Sequence, residues 1–279
     1  MKNVIYQYWD GKVRQSVHAG VAAMKKYADY VGADYVFEDN PNWLRSKVGA
    51  DFGGYSPHYG AFKPLWSKKY REYDNILFCD TDIFPVDGAT DNIFEEFNGQ
   101  LGICEELWQP IQRTRTKGRI TSAQDDLWAK TVEEAYGFTV PRTEDGLVRI
   151  FNTGVVIYSQ DGATHAREKW DRFVDYVNLI RSKPLDSFYT CDQPYLHTMM
   201  LATGMDVHYM DKKWNSFIHG TKDTYHDDRY IVDHRTPETC FVHAMFPGAD
   251  DMNDEQLFRI VNNQPDLWEY DRFNVERPW

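Results

Sequence analysis

Apolar residues recur along this chain with two periods, one typical of strands and one typical of helices. Residues 3–9 form a strand-like apolar run, and residues 13–31 place apolar side chains at helical spacing up to Gly32. A second strand-like run follows at residues 34–37. A strand, a helix and a strand in this order predict a βα unit that closes into a parallel sheet.

The same alternation continues over the rest of the chain, and its most strongly apolar strand is predicted at residues 75–84. Further strands are predicted at residues 101–104, 148–158, 205–209 and 240–243, and helices at 59–70, 92–97, 123–136, 165–181 and 192–201. No repeat, low-complexity segment or linker interrupts the pattern. The sequence therefore predicts an α/β fold in a single domain over residues 1–279.

Composition and charge narrow the classes of function. The chain has a net charge of -12 and its basic residues cluster only at 113–119, so we expect no nucleic-acid partner. The four cysteines lie far apart and form no CxxC pair, which is typical of free thiols in a reducing compartment. No run of 18 apolar residues and no signal-peptide core occurs, so we expect a soluble, cytoplasmic protein without a membrane span. The oligomeric state stays open.

Candidate chemistry begins with two carboxylates at the end of the most apolar strand, in Asp80-Thr81-Asp82. At the open end of a parallel sheet, two carboxylates one residue apart can reach one ion. Hard oxygen ligands suit Mn²⁺ or Mg²⁺, which keep positions open for diphosphate oxygens. An acidic chain that binds a nucleotide needs such a local cation. The same D-x-D motif also occurs in solvent-exposed turns that bind no metal. Here its position directly after a predicted buried strand favours a metal site.

Two short motifs further along the chain could contribute to the same site. Asn152-Thr153-Gly154 leads into an apolar run, and Asp192-Gln193 opens a predicted helix. Each has a purely structural alternative, because Asn before Gly shapes turns and Asp caps helix N-termini.

A histidine, His243, ends a short apolar strand, and Gly248 lies just beyond it. A lone histidine in this position is often structural. If His243 reaches the carboxylate pair, its imidazole nitrogen tilts the site from Mg²⁺ toward Mn²⁺.

In this order, these features resemble the retaining GT-A glycosyltransferases, especially glycosyltransferase family eight, the glycogenin and galactosyltransferase group. That family has a basic residue on a helix before the D-x-D strand, then an Asn-x-Gly strand, an Asp-Gln pair, a Trp-Asn segment and a late metal-binding His. The matching positions span about 180 of the 279 residues. They are Lys63, Asp80 to Asp82, Asn152 to Gly154, Asp192-Gln193, Trp214-Asn215 and His243.

Two departures from the family's pattern concern contacts to the diphosphate. The family has Arg where this chain has Lys63. A lysine would contact the diphosphate as a point charge, whereas an arginine can donate two parallel hydrogen bonds. The Lys-Pro-Trp expected after the late His is absent, and Lys212, Lys213 or Lys222 is left as a substitute.

The resemblance implies a GT-A, Rossmann-like fold with a mixed, mainly parallel central sheet flanked by helices. Residues 1–100 would form the nucleotide-binding half and residues 101–279 the half that binds sugar and acceptor. The implied reaction moves a hexose from a UDP-sugar to a hydroxyl of a glycan or other acceptor, with retention. Neither the sugar nor the acceptor can be named from the sequence, although residues 108–144 and 265–279 are candidates for shaping the acceptor side.

The resemblance also implies roles for individual residues. The base of the donor is expected near residues 7–9 and 38–40, with the catalytic pair facing the sugar. The metal ligands are Asp80, Asp82 and His243; the catalytic residues are Asp192 and Gln193; and the other donor contacts are Gln7, Tyr8, Trp9, Lys63, Thr81, Asn152 and Gly248.

Other functional classes compete with this interpretation. A nucleotidyltransferase commonly has a Gly-rich basic loop after the first strand, and residues 9–14 contain one Gly. A glycoside hydrolase would need two carboxylates flanking the bond, and neighbouring Glu105 and Glu106 should face opposite ways on a strand. A metal-dependent nucleotide-sugar hydrolase stays open as an alternative. A non-catalytic sugar-binding module would release no nucleoside diphosphate.

Overall fold

The computed structural model describes residues 1–40, 43, 57–223, 228–245, 252–262 and 274–276. The strands are β1 Asn3–Trp9, β2 Asp34–Asp39, β3 Asn75–Cys79, β4 Ile83–Pro85, β5 Leu101–Glu105, β6 Phe151–Ser159, β7 Val207–Met210, β8 Ser216–Asp223, β9 Asp228–Asp233, β10 Phe241–Met245 and β11 Asn274–Glu276. The α-helices are Gln15–Val31, Lys63–Trp66, Ile93–Glu96, Gln109–Thr114, Ser122–Tyr136, Gln160–Lys169, Phe173–Arg181, Asp192–Ala202 and Asp254–Asn262. Short 3-10 turns lie at Pro57–Phe62, Lys68–Tyr70, Ser187–Thr190 and Lys212–Trp214.

The central sheet has six strands in the order β2-β1-β3-β6-β5-β7. Strand β1 pairs in parallel with β2 and β3, β5 pairs in parallel with β7, and β6 runs antiparallel to both of its neighbours. The predicted βα unit is confirmed, since helix Gln15–Val31 connects the parallel strands β1 and β2. The expected mixed, mainly parallel sheet is therefore confirmed.

Both faces of the central sheet are covered, and its two middle strands, β3 and β6, are buried along nearly their whole length. Successive side chains of a strand point to opposite faces. On β1, Val4 and Tyr6 belong to one buried cluster, which includes residues of the helices that follow β6, and Ile5 belongs to another with Met24 of the first helix.

A second sheet, with strand order β11-β9-β8-β10-β4, was not predicted. The strand predicted at residues 75–84 is in fact two strands, because β3 lies in the central sheet and β4 lies in the second. Residues 80–82 form the crossing between them. Since both halves are apolar and buried, the hydrophobic pattern alone does not reveal that the chain changes sheets.

Two predicted helices are interrupted. The one at residues 59–70 breaks where Ser67 is extended, with ψ 129°. The one at residues 165–181 breaks between Trp170 and Arg172, whose ψ values are 138° and 144°. An apolar face can continue across such a break, so periodicity does not detect it. Within the part of the chain that is described, no helix combines the length and apolarity needed to cross a bilayer.

Candidate metal and substrate site

The turn that carries Asp80 and Asp82 is attached to both sheets. The backbone N–H of Asp80 donates to the carbonyl oxygen of Gly154 on β6 at 2.8 Å. On the other side, the carbonyl oxygen of Asp82 accepts from the N–H of Ala244 on β10 at 3.0 Å. The two carboxylates therefore lie at the carboxyl end of β3, where the sequence predicted them.

Strand β10 brings His243 to this turn. It pairs antiparallel with β4, so that His243 lies opposite Ile83. The Nε2 atom of His243 is 3.3 Å from Oδ1 of Asp82. One ligand atom from each of Asp80, Asp82 and His243 lies within 4.8 Å of the others. The structure thus brings together the three residues that the sequence analysis named as metal ligands.

The three side chains perturb one another electrostatically. The pKa of Asp80 is raised by burial and by the neighbouring charge of Asp82. Burial also acts to raise the pKa of Asp82, but the charge and hydrogen bond of His243 outweigh it and lower that pKa. Burial acts to lower the pKa of His243, and the surrounding carboxylates raise it above its ordinary value. A divalent cation would relieve the repulsion between the two carboxylates.

Gly154 is needed because the ring of His243 lies directly against β6. A Cβ at this position would be 2.6 Å from Cε1 of His243, closer than any real contact. The ring of Phe217 stacks on the imidazole, with centroids 5.1 Å apart. The Gly of the Asn-x-Gly motif therefore makes room for the histidine.

Gly20 provides similar room on the opposite side of the turn, a role that the sequence analysis missed. A Cβ on Gly20 would lie 1.9 Å from the carbonyl oxygen of Thr81. Thr81 is buried, so helix Gln15–Val31 presses its backbone against the turn. A Gly within the helical pattern was the available signal, because Gly in a helix costs about 1 kcal/mol relative to Ala and its presence suggests a packing reason.

Two cavities meet at the carboxylates. One, of about 430 Å³, extends toward the end of β1 and is lined by Tyr8 and Trp9. The other, of about 700 Å³, extends toward the helix that begins at Asp192. Both are lined by His58, Asp80 and Asp82. The sequence analysis missed His58, which has no recognisable pattern around it.

The larger cavity contains the residues that were expected to surround the sugar. Asn152, Thr153, Asp192 and Gln193 all line it. The hydroxyl of Thr153 donates to Oδ2 of Asp192 at 2.6 Å, which fixes the orientation of that buried carboxylate. The segment 108–144, expected on the acceptor side, contributes residues 119 and 120 to the wall.

Two predicted donor contacts are placed differently. Gln7 is fully buried: its amide nitrogen donates to the carbonyl oxygen of Asp80 at 2.8 Å, and its amide oxygen accepts from Tyr35 at 2.7 Å. Gln7 therefore stabilises the turn at residues 80–82 from inside the protein, and its side chain is not accessible to a nucleotide. Lys63 lines neither of the two cavities. Its ammonium group forms an ion pair with Glu38, and Glu38 also accepts a hydrogen bond from Tyr6.

Of the candidates for a lysine that contacts phosphate, Lys212 and Lys213 line neither of the two cavities. The ammonium group of Lys213 is held by Asp91 and Glu96, at 2.8 Å from each carboxylate. Gly248, the side chain of Lys222 and the segment 265–273 lie outside the described residues.

The glycoside hydrolase alternative is not favoured by the positions of Glu105 and Glu106. Glu105 pairs with Arg149. Glu106 is buried, and Oε2 is 3.5 Å from the amide nitrogen of Asn152. The two carboxylates thus have separate partners and do not flank one cavity.

Comparisons with known proteins concern the fold. No protein-family model and no curated protein sequence matches the chain. A glycosyltransferase involved in the glycosylation of the major capsid of PBCV-1 is 11% identical, over 93% of this chain and 100% of its own, with a TM-score of 0.49. The galactosyltransferase LgtC, in complex with donor and acceptor sugar analogs, is 15% identical over 95% of this chain and 99% of its own, with a TM-score of 0.47. One fold can host many reactions, so the chemistry has to follow from the residues of the site.

Proposed function

We propose that this protein is a metal-dependent glycosyltransferase that moves a hexose from a UDP-sugar to a hydroxyl group of a glycan or another acceptor. In the reaction, the bond between the anomeric carbon and the diphosphate oxygen breaks and a bond to the acceptor oxygen forms. The acceptor's proton leaves, and nucleoside diphosphate is the second product.

The observation that carries the proposal is the position of Asp80 and Asp82 between two cavities. A nucleotide-sugar has the same layout, because its diphosphate joins a nucleoside on one side to a sugar on the other. The smaller cavity, with aromatic Tyr8 and Trp9, suits a base and ribose. The larger cavity has the space for a sugar and its acceptor.

The donor set fits a divalent ion. Two carboxylate oxygens and one imidazole nitrogen suit Mn²⁺ better than Mg²⁺, which prefers oxygen alone. Three protein ligands leave positions for diphosphate oxygens. When bound, the ion supplies Lewis-acid neutralisation of the charge that develops on the departing diphosphate.

In the proposal, residues on the opposite wall orient the sugar. Asp192, held by Thr153, accepts hydrogen bonds from the sugar hydroxyls. Gln193 follows it on the same helix and faces the anomeric carbon. Because an amide is a poor nucleophile, a covalent intermediate on Gln193 is disfavoured, and we propose retention by attack on the face from which the diphosphate leaves.

The first test is a panel of nucleotide-sugars assayed for released nucleoside diphosphate, with and without Mn²⁺. A UDP-hexose should give metal-dependent release, and Asp82→Ala should abolish it. Asp87→Ala is the control, because Asp87 is exposed and lines neither cavity at the site. Full metal-dependent turnover in Asp82→Ala would refute the proposal.

The stereochemistry has a separate test. Once an acceptor is found, NMR of the product should show the same anomeric configuration as in the donor. An inverted product would exclude retention, and a trapped sugar adduct on a carboxylate would exclude same-face attack.

A further inference from the structure

Behind the metal ligand His243 lies a line of buried amides. Nδ1 of His243 is 3.1 Å from Oδ1 of Asn215. Nδ2 of Asn215 is 2.9 Å from Oδ1 of Asn152, and Nδ2 of Asn152 is 3.5 Å from Oε2 of Glu106. All four side chains are at most 6% exposed.

The direction of every hydrogen bond in this line follows from one backbone group. The N–H of Gly154 lies 2.7 Å from the amide of Asn152, and a backbone N–H can only donate. The atom it contacts is therefore the amide oxygen. The amide nitrogen of Asn152 then faces Glu106, which is an acceptor.

The same reasoning determines which ring nitrogen of His243 carries the proton. Since the oxygen of Asn152 faces Asn215, the contacting atom of Asn215 must be its NH₂ group, which donates. The oxygen of Asn215 then faces Nδ1 of His243. Nδ1 must therefore carry a proton, and Nε2, on the side of Asp82, keeps its lone pair when the ring is neutral.

We propose that Asn215 and Asn152 are positioning residues that hold His243 in the tautomer required for binding a metal through Nε2. The N–H of Gly154 and the carboxylate of Glu106 hold the amide of Asn152, and Asn152 in turn orients Asn215. Metal-bound histidines usually donate their other N–H to a carboxylate or carbonyl group, and here two amides extend that arrangement. In this inference, which rests on the metal site of the proposed function, Asn152 serves the metal ligand and not primarily the sugar.

The tautomer can be measured without metal or substrate. A ¹⁵N NMR spectrum of the histidine rings, recorded at alkaline pH where the imidazole is neutral, should show the proton of His243 on Nδ1. A proton on Nε2 in the unmodified protein would overturn the proposal, whatever reaction the protein catalyses.

Variants of Asn215 test the link to the metal. Asn215→Leu removes the acceptor and should lower Mn²⁺ affinity by about 10- to 100-fold, measured by electron paramagnetic resonance. Asn215→Asp retains an acceptor for Nδ1 but loses the NH₂ group that donates to Asn152, so its affinity should lie between those of the parent and of Asn215→Leu. Asn75→Leu is the matched control, since Asn75 is another buried asparagine, bonded to Asn3 at the opposite end of β3.

The outcomes separate this inference from the proposed function. Unchanged affinity in Asn215→Leu, or equal losses in Asn215→Leu and Asn75→Leu, would contradict a positioning role. If the protein binds Mn²⁺ as expected but transfers no sugar, only the proposed function fails.

Discussion

At the scale of single residues, Gly154 controls how closely His243 approaches strand β6. Gly154→Ala should displace the imidazole, because the new Cβ would be 2.6 Å from Cε1. We expect a stability loss of about 1–3 kcal/mol, as for other overpacked sites, and a loss of Mn²⁺ affinity of at least about tenfold. Denaturant unfolding and metal titration measure the two effects.

A glycine elsewhere in the sheet provides the comparison for Gly154→Ala. In Gly102→Ala the Cβ meets the side chains of Ile157 and Met210, and His243 is not among its nearest atoms. This variant should lose stability but keep its metal affinity. If both variants lost affinity equally, the effect would be general loosening of the sheet.

Thr153 tests the orientation of Asp192. Thr153→Val keeps the shape of the side chain but removes the hydroxyl that donates to Asp192 at 2.6 Å. A buried carboxylate that loses a donor should cost about 1–3 kcal/mol of stability. The rate of sugar transfer should also fall, by about tenfold or more, because Asp192 is no longer held in one orientation.

Thr198→Val is the control for Thr153→Val, because Thr198 lies on the helix that begins at Asp192. The hydroxyl of Thr198 donates to the carbonyl oxygen of Pro194 at 2.8 Å and is buried, but it lines neither cavity at the site. It should change stability and leave kcat close to that of the parent. An unchanged kcat in Thr153→Val would argue against a role for the Thr153 hydrogen bond in catalysis.

At the scale of elements, helix Gln15–Val31 and the turn at residues 80–82 are held together by backbone contact. On an exposed helix, Gly→Ala stabilises by about 1 kcal/mol. At Gly20 the sign should reverse, since a Cβ would be 1.9 Å from the oxygen of Thr81 and the helix must move away. We expect Gly20→Ala to be destabilised in urea and to bind Mn²⁺ more weakly.

A variant of Ala22, which is exposed on the same helix, distinguishes the effect of helix propensity from the effect of packing against the turn. Ala22→Gly should lose about 1 kcal/mol through helix propensity alone, with metal affinity unchanged. A stabilised Gly20→Ala would show that the helix does not press on the turn.

At the scale of the whole molecule, buried histidines should make stability depend on pH. Burial lowers the pKa of His197 to about 3, against about 6.5 for an unfolded chain. Below pH 6.5 the unfolded state binds a proton that the folded state does not, so stability is lost as the pH falls. For His197 alone the loss at pH 4.5 is about 2–3 kcal/mol.

Urea unfolding at several pH values between 6.5 and 4.5 measures this effect. His197→Leu should flatten the dependence by about one proton, whereas Thr198→Val, which removes no titratable group from the same helix, should leave it unchanged. If His197→Leu kept the slope of the parent, proton uptake by His197 would not be the cause.

Local patterns were enough to predict most elements, and the resemblance to a known family named three side chains that the structure brings together. Helix Gln15–Val31 ends at Gly32, in the left-handed conformation with φ 68°, as its sequence indicated. Strand β1 was predicted with the bounds that the structure shows. Asp80, Asp82 and His243 were named together because their ordered motifs resemble a known family, although they are far apart along the chain.

The amino-acid sequence by itself therefore determined the α/β class, the central sheet's first strands and the identity of the clustered side chains, because these depend on periods and short motifs. Only the tertiary structure decided that residues 75–84 change sheets, that Gln7 faces inward and that Lys63 pairs with Glu38. It also showed the line of amides behind His243. Such features depend on which strands become neighbours, and the pairing partner of a strand is not encoded in its own hydrophobic period.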